Sequence, residues 1–189
     1  MDETQMNGMT RRKVLQMGLV AAASSLVPGN VLSALTEIES PERVLCFYNL
    51  YTHENLEAVY WYKGEYLPHS LDDINYILRD IRTGRVGSID THLLDLLFAI
   101  QQRLGTTEPF QIVSGYRTPQ SNALLSKKKK GVAKRSFHIY GKAADIRIPG
   151  FSTKEVRQAA KSLKGGGVGY YPQSHFVHVD VGPVRYWWG

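Results

Sequence analysis

The chain has 189 residues, with 23 lysines and arginines against 17 acids, and a formal charge of +6. Its single cysteine, Cys46, excludes an internal disulfide and every cysteine-rich metal motif, so any metal would have to be held by His and Asp. Cys46 lies in the apolar run 44–50 and is expected to be buried as a small hydrophobe.

The first segment reads as an address. Arg11 and Arg12 stand directly before the apolar run 14–27, which leads to the small-residue site Leu32-Ser33-Ala34. Basic, apolar and cleavable regions in that order describe a secretory signal, and the arginine pair points to the twin-arginine route. The run is broken by Gln16, Gly18 and two serines, and falls short of the roughly 20 apolar residues a membrane helix needs. A signal over residues 1–34 is therefore expected, then a polar linker over 35–43 and one domain over 44–189, with no stable membrane span after cleavage. That length can bury a core without disulfides.

Within the domain, the stretches 43–52 and 56–67 are rich in Val, Tyr, Trp and Phe, with Lys63-Gly64 as a hairpin turn. Ser70 is expected to open a helix carrying Ile74, Ile77, Leu78 and Ile81 before Gly84. Asp90 caps a second helix with Leu93, Leu94, Leu97, Phe98, Ile100 and Leu104, stopped by Gly105; His92 in its first turn is a capping or surface residue. Strand 110–114, the turn 115–119, a short helix over 120–126 and a lysine-rich polar loop over 127–135 follow. Strand 143–148 precedes a helix that Ser152 and Glu155 cap reciprocally and that runs to Leu163. After the Gly165-Gly166-Gly167 break come strands 168–171 and 176–181. Helices and strands mix without regular βαβ alternation, so the expected class is α+β, an antiparallel sheet with flanking helices.

Chemistry concentrates in Ser136-Phe-His138-Ile-Tyr-Gly141-Lys-Ala143-Ala-Asp145 and in His175-Phe-Val-His178-Val-Asp180. Two imidazoles and a carboxylate drawn from separate segments form the ligand set of a Zn²⁺ site with an open fourth position. In a strand over 177–181 the valines share one face, while His178 and Asp180 share the other. Asp180 then either orients a ring nitrogen or is simply solvated. On spacing alone, His138 and Asp145 could equally be a loop histidine and an exposed aspartate.

Ser-x-His-x-x-Gly-x-Ala-x-Asp at 136–145, followed by Phe-Val-His-Val-Asp at 176–180, resembles the motif pair of the zinc D,D- and L,D-peptidases of bacterial cell walls and the hedgehog-type zinc domain. Ser114-Gly-Tyr-Arg-Thr118, Gly166-Gly-Val-Gly-Tyr-Tyr-Pro172 and Gly182-Pro-Val-Arg-Tyr-Trp187 resemble the murein endopeptidase K subfamily. The resemblance implies His138, Asp145 and His178 as Zn²⁺ ligands with water as fourth, and Arg117 as the cation beside the scissile carbonyl. The dipeptidase branch has a glutamate as general base three residues before the last histidine, where this chain has His175. His175 is thus either the base or a loop residue. The expected activity is hydrolysis of peptide cross-links in peptidoglycan by zinc-activated water, in the periplasm, with peptide stems as partners. A D-Ala-D-Ala carboxypeptidase or dipeptidase, and a zinc-containing wall-binding module without catalysis, are the alternatives. The Lys127–Arg135 loop lacks interleaved aromatics and is not expected to bind nucleic acid; it would attract carboxylates. Tyr170, Tyr171, Trp187 and Trp188 either line a groove or pack in the core.

Overall fold

A computed structural model describes residues 41–128 and 133–189. The expected signal 1–34, most of the linker and the middle of the lysine-rich loop lie outside the described residues. Strand β1 (Glu42–Asn49) begins just ahead of the expected domain boundary. β2 (Asn55–Tyr62) and β3 (Glu65–Tyr66) meet at the expected Lys63-Gly64 hairpin. Lys63 and Gly64 have φ of 48° and 97°, the left-handed pair that a two-residue hairpin turn requires.

Helix α1 (Pro68–Ile77) opens two residues before Ser70. Leu67 stays extended and Pro68 supplies the first helical residue, its ring presetting φ where no N–H is needed. The helix stops short of Ile81 because Asp80 captures the chain. Its Oδ1 accepts the Arg82 N–H at 2.9 Å, and its Oδ2 accepts the Thr118 N–H and hydroxyl at 2.8 and 2.7 Å. Helix α2 (Thr91–Leu104) is capped by Asp90, whose carboxylate accepts the His92 N–H, and ends on Gly105 at φ 64°. β4 (Phe110–Ser114), α3 (Pro119–Lys128), a 3₁₀ turn (Phe137–Tyr140), β5 (Ala143–Arg147), α4 (Thr153–Leu163), β6 (Gly167–Tyr171) and β7 (Phe176–Asp180) follow. The reciprocal cap at Ser152 and Glu155 is present.

The class is α+β, with one sheet ordered β3-β2-β1-β4-β5-β7-β6-β8. Antiparallel pairing dominates it, with parallel junctions at β1/β4 and β6/β8. The last strand, β8 (Arg185–Trp188), is too short for its alternation to stand out in the sequence. One face of the sheet packs against α2 and α4. Leu45, Phe47, Phe110, Ile112, Ala144, Ile146, Val177 and Val179 meet Leu93, Leu97, Ile100 and Val156 there, all but sealed from solvent. Strand alternation then sends Asp145, His178 and Asp180 to the opposite face. Cys46 shares neither place. It is half-buried on the face of β1 away from Leu45 and Phe47, with burial, then Glu57, raising its thiol pKa. The expectation of a buried cysteine fails because the strand reverses its faces residue by residue.

Two polar residues of α2, Asp95 and Gln101, are buried, and the first ties the helix to the sheet. Asp95 is fully buried between Leu94 and Leu96. It accepts hydrogen bonds from Arg43 at 2.8 Å, Tyr60 at 2.9 Å and Tyr66 at 2.7 Å. Burial, then Asp95 itself, raises both phenol pKa values, so the two hydroxyls stay donors. The carboxylate thereby ties β1, β2 and β3 to the helix. Asp95→Ala would strand the buried Tyr60 hydroxyl, the partly buried Tyr66 hydroxyl and a guanidinium, and it is expected to destabilise the fold by about 3 kcal/mol or more in urea unfolding. Asp95→Asn, which keeps an acceptor, should cost clearly less.

Candidate metal centre

The three expected ligands meet on the sheet face opposite the helices. His178 Nδ1 lies 2.9 Å from Asp145 Oδ1, His138 Nε2 lies 3.3 Å from the same oxygen, and the two ring nitrogens are 3.2 Å apart. All three residues are buried. β5 and β7 place Asp145 opposite His178 in the sheet. His138 comes from the 3₁₀ turn, which Gly141 closes at φ 64°. A side chain there would collide with the Ser88 carbonyl, so the motif glycine serves both the backbone angle and the close approach.

The outer partners decide which atoms face inward. His138 Nδ1 is 2.7 Å from the Gly115 carbonyl, which can only accept. Nδ1 therefore carries the proton and Nε2 offers its lone pair. His178 Nε2 is 2.9 Å from Asp180 Oδ2. Asp180 is fully buried; burial alone would raise its pKa, but His178 and Arg185 prevail and hold it at about 2. As a carboxylate it accepts, so Nε2 of His178 donates and Nδ1 faces Asp145. Of the two readings of Asp180, the structure selects the one that orients a ring nitrogen. Arg185 clamps it with two hydrogen bonds, 3.0 and 2.7 Å long, and lies 5.0 Å from the ring centroids of Phe137 and Trp187. Gly167 matters here, because a Cβ on it would press on both Asp180 and Arg185.

Two lone pairs and a carboxylate oxygen thus converge, with the far side of each ring already committed. This donor set fits a divalent ion that takes nitrogen and oxygen ligands. The charges agree. Burial opposes ionisation of Asp145, yet His138, His178 and Arg117 hold its pKa well below the ordinary carboxylate range. Burial lowers the pKa of His138. It would lower that of His178 too, but the hydrogen bonds that the ring donates to Asp145 and Asp180 outweigh it and raise the value.

Arg117 joins the cluster. It is 8 % exposed, with Nη2 2.5 Å from Asp145 Oδ2 and Nε donating to Ser114 Oγ at 2.8 Å. Its backbone N–H donates to the His138 carbonyl at 3.1 Å, locking the 115–119 turn to the 3₁₀ turn. His175 is not brought in. It is exposed at φ 53° on the β6–β7 turn and borders a smaller depression with Ile146, Ile148 and Phe151. It stands one residue ahead of β7, and the turn at positive φ keeps it out of the cleft lining.

A cleft of about 860 Å³ opens over the cluster, lined among others by Tyr51, Tyr171, Phe176, Trp187 and Trp188. Trp187 packs on His178 with ring centroids 5.2 Å apart, and its indole N–H donates to the Tyr171 hydroxyl at 3.0 Å. Tyr170 instead packs edge-on against Trp188 and on the core. Of the four aromatics considered in the sequence, three line the groove. Sequence reasoning missed Arg185 as the clamp on Asp180, although it stands in the quoted Gly182–Trp187 motif.

An α+β sheet presenting two imidazoles and a carboxylate at the floor of a cleft is the architecture of a metal-dependent hydrolase. The family described as peptidoglycan L,D-endopeptidase MepK matches residues 37–187. The chain is 40 % identical over 178 residues to the peptidoglycan L,D-endopeptidase MepK of Escherichia coli strain K12, covering 94 % of this chain and 96 % of that protein. It is 41 % identical over 180 residues to the probable peptidoglycan L,D-endopeptidase MepK of Haemophilus influenzae, covering 95 % and 96 %. The chain belongs to this family.

Metal binding must displace the proton that the raised pKa of His178 favours. Zn²⁺ affinity, measured by chelator competition, is therefore expected to fall as pH drops through a range lying above the ordinary imidazole value of about 6.5. Asp180→Asn removes the carboxylate that holds the ring and should weaken Zn²⁺ by about 10–100-fold. A folded Asp180→Asn protein with unchanged affinity would show that Asp180 does not orient the ligand.

Proposed function

We propose that the protein is an exported, zinc-dependent endopeptidase that opens L,D-configured peptide cross-links of peptidoglycan. Membership of the family makes it a peptidoglycan endopeptidase. The bond type comes from the names of the relatives, which the chain matches over nearly its whole length. The observation that carries the chemistry is the meeting of His138 Nε2, His178 Nδ1 and Asp145 Oδ1 beneath the cleft, with both ring tautomers fixed from behind. Zinc suits this set, since magnesium and calcium favour all-oxygen shells.

His138, Asp145 and His178 would hold Zn²⁺, which would supply a water activated near neutral pH and a Lewis acid for a carbonyl. The chain does the rest. The Gly115 carbonyl and Asp180 fix the ring orientations, so that His138 Nε2 and His178 Nδ1 face Asp145. Arg117, braced by Ser114 and Asp145, keeps a fixed positive charge at the cleft wall and serves as donor to the developing oxyanion. Tyr171, Phe176 and Trp187 supply apolar surface that strengthens these electrostatics by excluding water. His175 lies outside the cleft, and no proton transfer is given to it in this arrangement.

Purified sacculi digested with the enzyme should release monomers from cross-linked dimers, and a chelator should stop this. An unchanged muropeptide profile would overturn the enzymatic reading, and shortened monomers would turn it into a carboxypeptidase. His138→Ala should lose metal and activity together. Arg117→Ala should lose about 10²–10³ in kcat, while His175→Ala should keep most of the activity.

Export by the twin-arginine route to the periplasm is proposed from Arg11, Arg12 and the run after them. Among the described residues no helix is long and apolar enough to cross a membrane. Replacing both arginines by lysine should leave the protein in the cytoplasmic fraction; unaltered periplasmic recovery would exclude that route.

A further inference from the structure

Four arginines line the cleft, and they divide into two kinds. Arg117 is paired with Asp145 and Arg185 with Asp180. Arg82 and Arg135 are exposed, and neither guanidinium has a hydrogen bond, ion pair or ring contact with another described residue. Asp145 is the one side-chain carboxylate on the cleft lining among the described residues, and Arg117 already answers it. The surplus charge of the cleft is therefore positive and sits on Arg82 and Arg135.

Both side chains grow from backbone that a buried polar residue holds in place. Arg82 lies in the turn after α1. Asp80, 1 % exposed, accepts its N–H through Oδ1 and binds Thr118 through Oδ2, while its carbonyl accepts the Gly84 N–H at 2.8 Å. That fixes residue 82 against the loop that carries Arg117. Arg135 is three residues upstream of His138. The chain before it is held by Asn122, also 1 % exposed, whose Nδ2 donates to the Ala133 and Lys134 carbonyls at 3.0 and 3.3 Å. Two anchored backbones that present unanswered guanidinium groups to one cleft are arranged to receive anions, because guanidinium binds carboxylate with two parallel hydrogen bonds.

We propose that Arg82 and Arg135 determine specificity by gripping free carboxylates of the stem peptides around the scissile bond, so that the enzyme distinguishes acidic stems from amidated ones. The proposal rests on the peptidoglycan reading above and adds to it which chemical form of the stem is taken. Several stem carboxylates share this chemistry, and the test separates them.

The full chain, zinc-loaded, is assayed on synthetic cross-linked peptide dimers, one with every carboxylate free and others with a single carboxylate converted to the primary amide. Amidating the recognised position should raise KM about tenfold with kcat nearly unchanged, the loss expected for one charge-assisted hydrogen-bonded contact. Arg82→Ala or Arg135→Ala should raise KM similarly on the free-acid dimer and have little further effect on the matching amide, and the lysine variants should recover part of the loss. Equal kcat/KM on free and amidated dimers would overturn the proposal while leaving the endopeptidase reading intact. So would arginine variants that lose activity equally on both. If wild-type enzyme cut none of the dimers yet bound zinc, the endopeptidase reading itself would fail, and this proposal with it.

Discussion

Three electron-rich atoms held about 3 Å apart in a buried site repel one another unless something positive lies between them. The structure around His138, Asp145 and His178 serves to keep them there. Each imidazole is turned inward by an acceptor behind it, the Gly115 carbonyl for one and Asp180 for the other. Each carboxylate is steadied by an arginine, Asp145 by Arg117 and Asp180 by Arg185. Removing any one of these outer partners would free a ring to rotate or leave a buried charge unanswered. The convergence of the three side chains is thus set by the hydrogen bonds one step beyond them.

The cost of that arrangement is met on the other side of the sheet. Large-to-small changes at buried aliphatic positions cost about 2–5 kcal/mol each, and the face against α2 and α4 is packed with such residues. The cleft face carries the buried charged cluster beneath aromatic walls. β5 and β7 belong to both faces at once. Val177 and Val179 point into the core from the same strand that turns His178 toward Asp145 and sets Asp180 behind it on the opposite face. Strand periodicity therefore converts the rigidity of the hydrophobic side into positional accuracy on the cleft side.

This coupling explains what the sequence made legible. Alternation in 177–181 predicted the valine face and the His178/Asp180 face, and caps at Asp90 and Ser152 located two helix starts. The motif pair pointed to His138, Asp145 and His178, and the fold brings these three side chains together. What escaped were contacts between segments far apart in the chain. Asp95 looks like an ordinary polar interruption of a helix until Arg43, Tyr60 and Tyr66 converge on it from three strands. Asp80 looks like a helix residue until Thr118 supplies two donors and the helix ends early. His175 has the right chemistry for a base and the expected place in the motif, but a turn at positive φ carries it away from the cleft. Local pattern reports which face a residue occupies; it does not report what arrives from elsewhere to meet it.

Asp80, Asp95 and Asp180 share one device. Each is almost fully buried, and each accepts hydrogen bonds from at least two other residues. A buried carboxylate is a poor source of net stability, since desolvation offsets much of what its partners return. It is, however, demanding about geometry, because a partner displaced by an ångström leaves the charge unpaid. Placed at the joint between α1 and the Arg117 loop, between β1–β3 and α2, and behind His178, the three aspartates restrict how those joints can settle. An apolar residue at the same points would tolerate sliding, and the ligand atoms would lose their common focus.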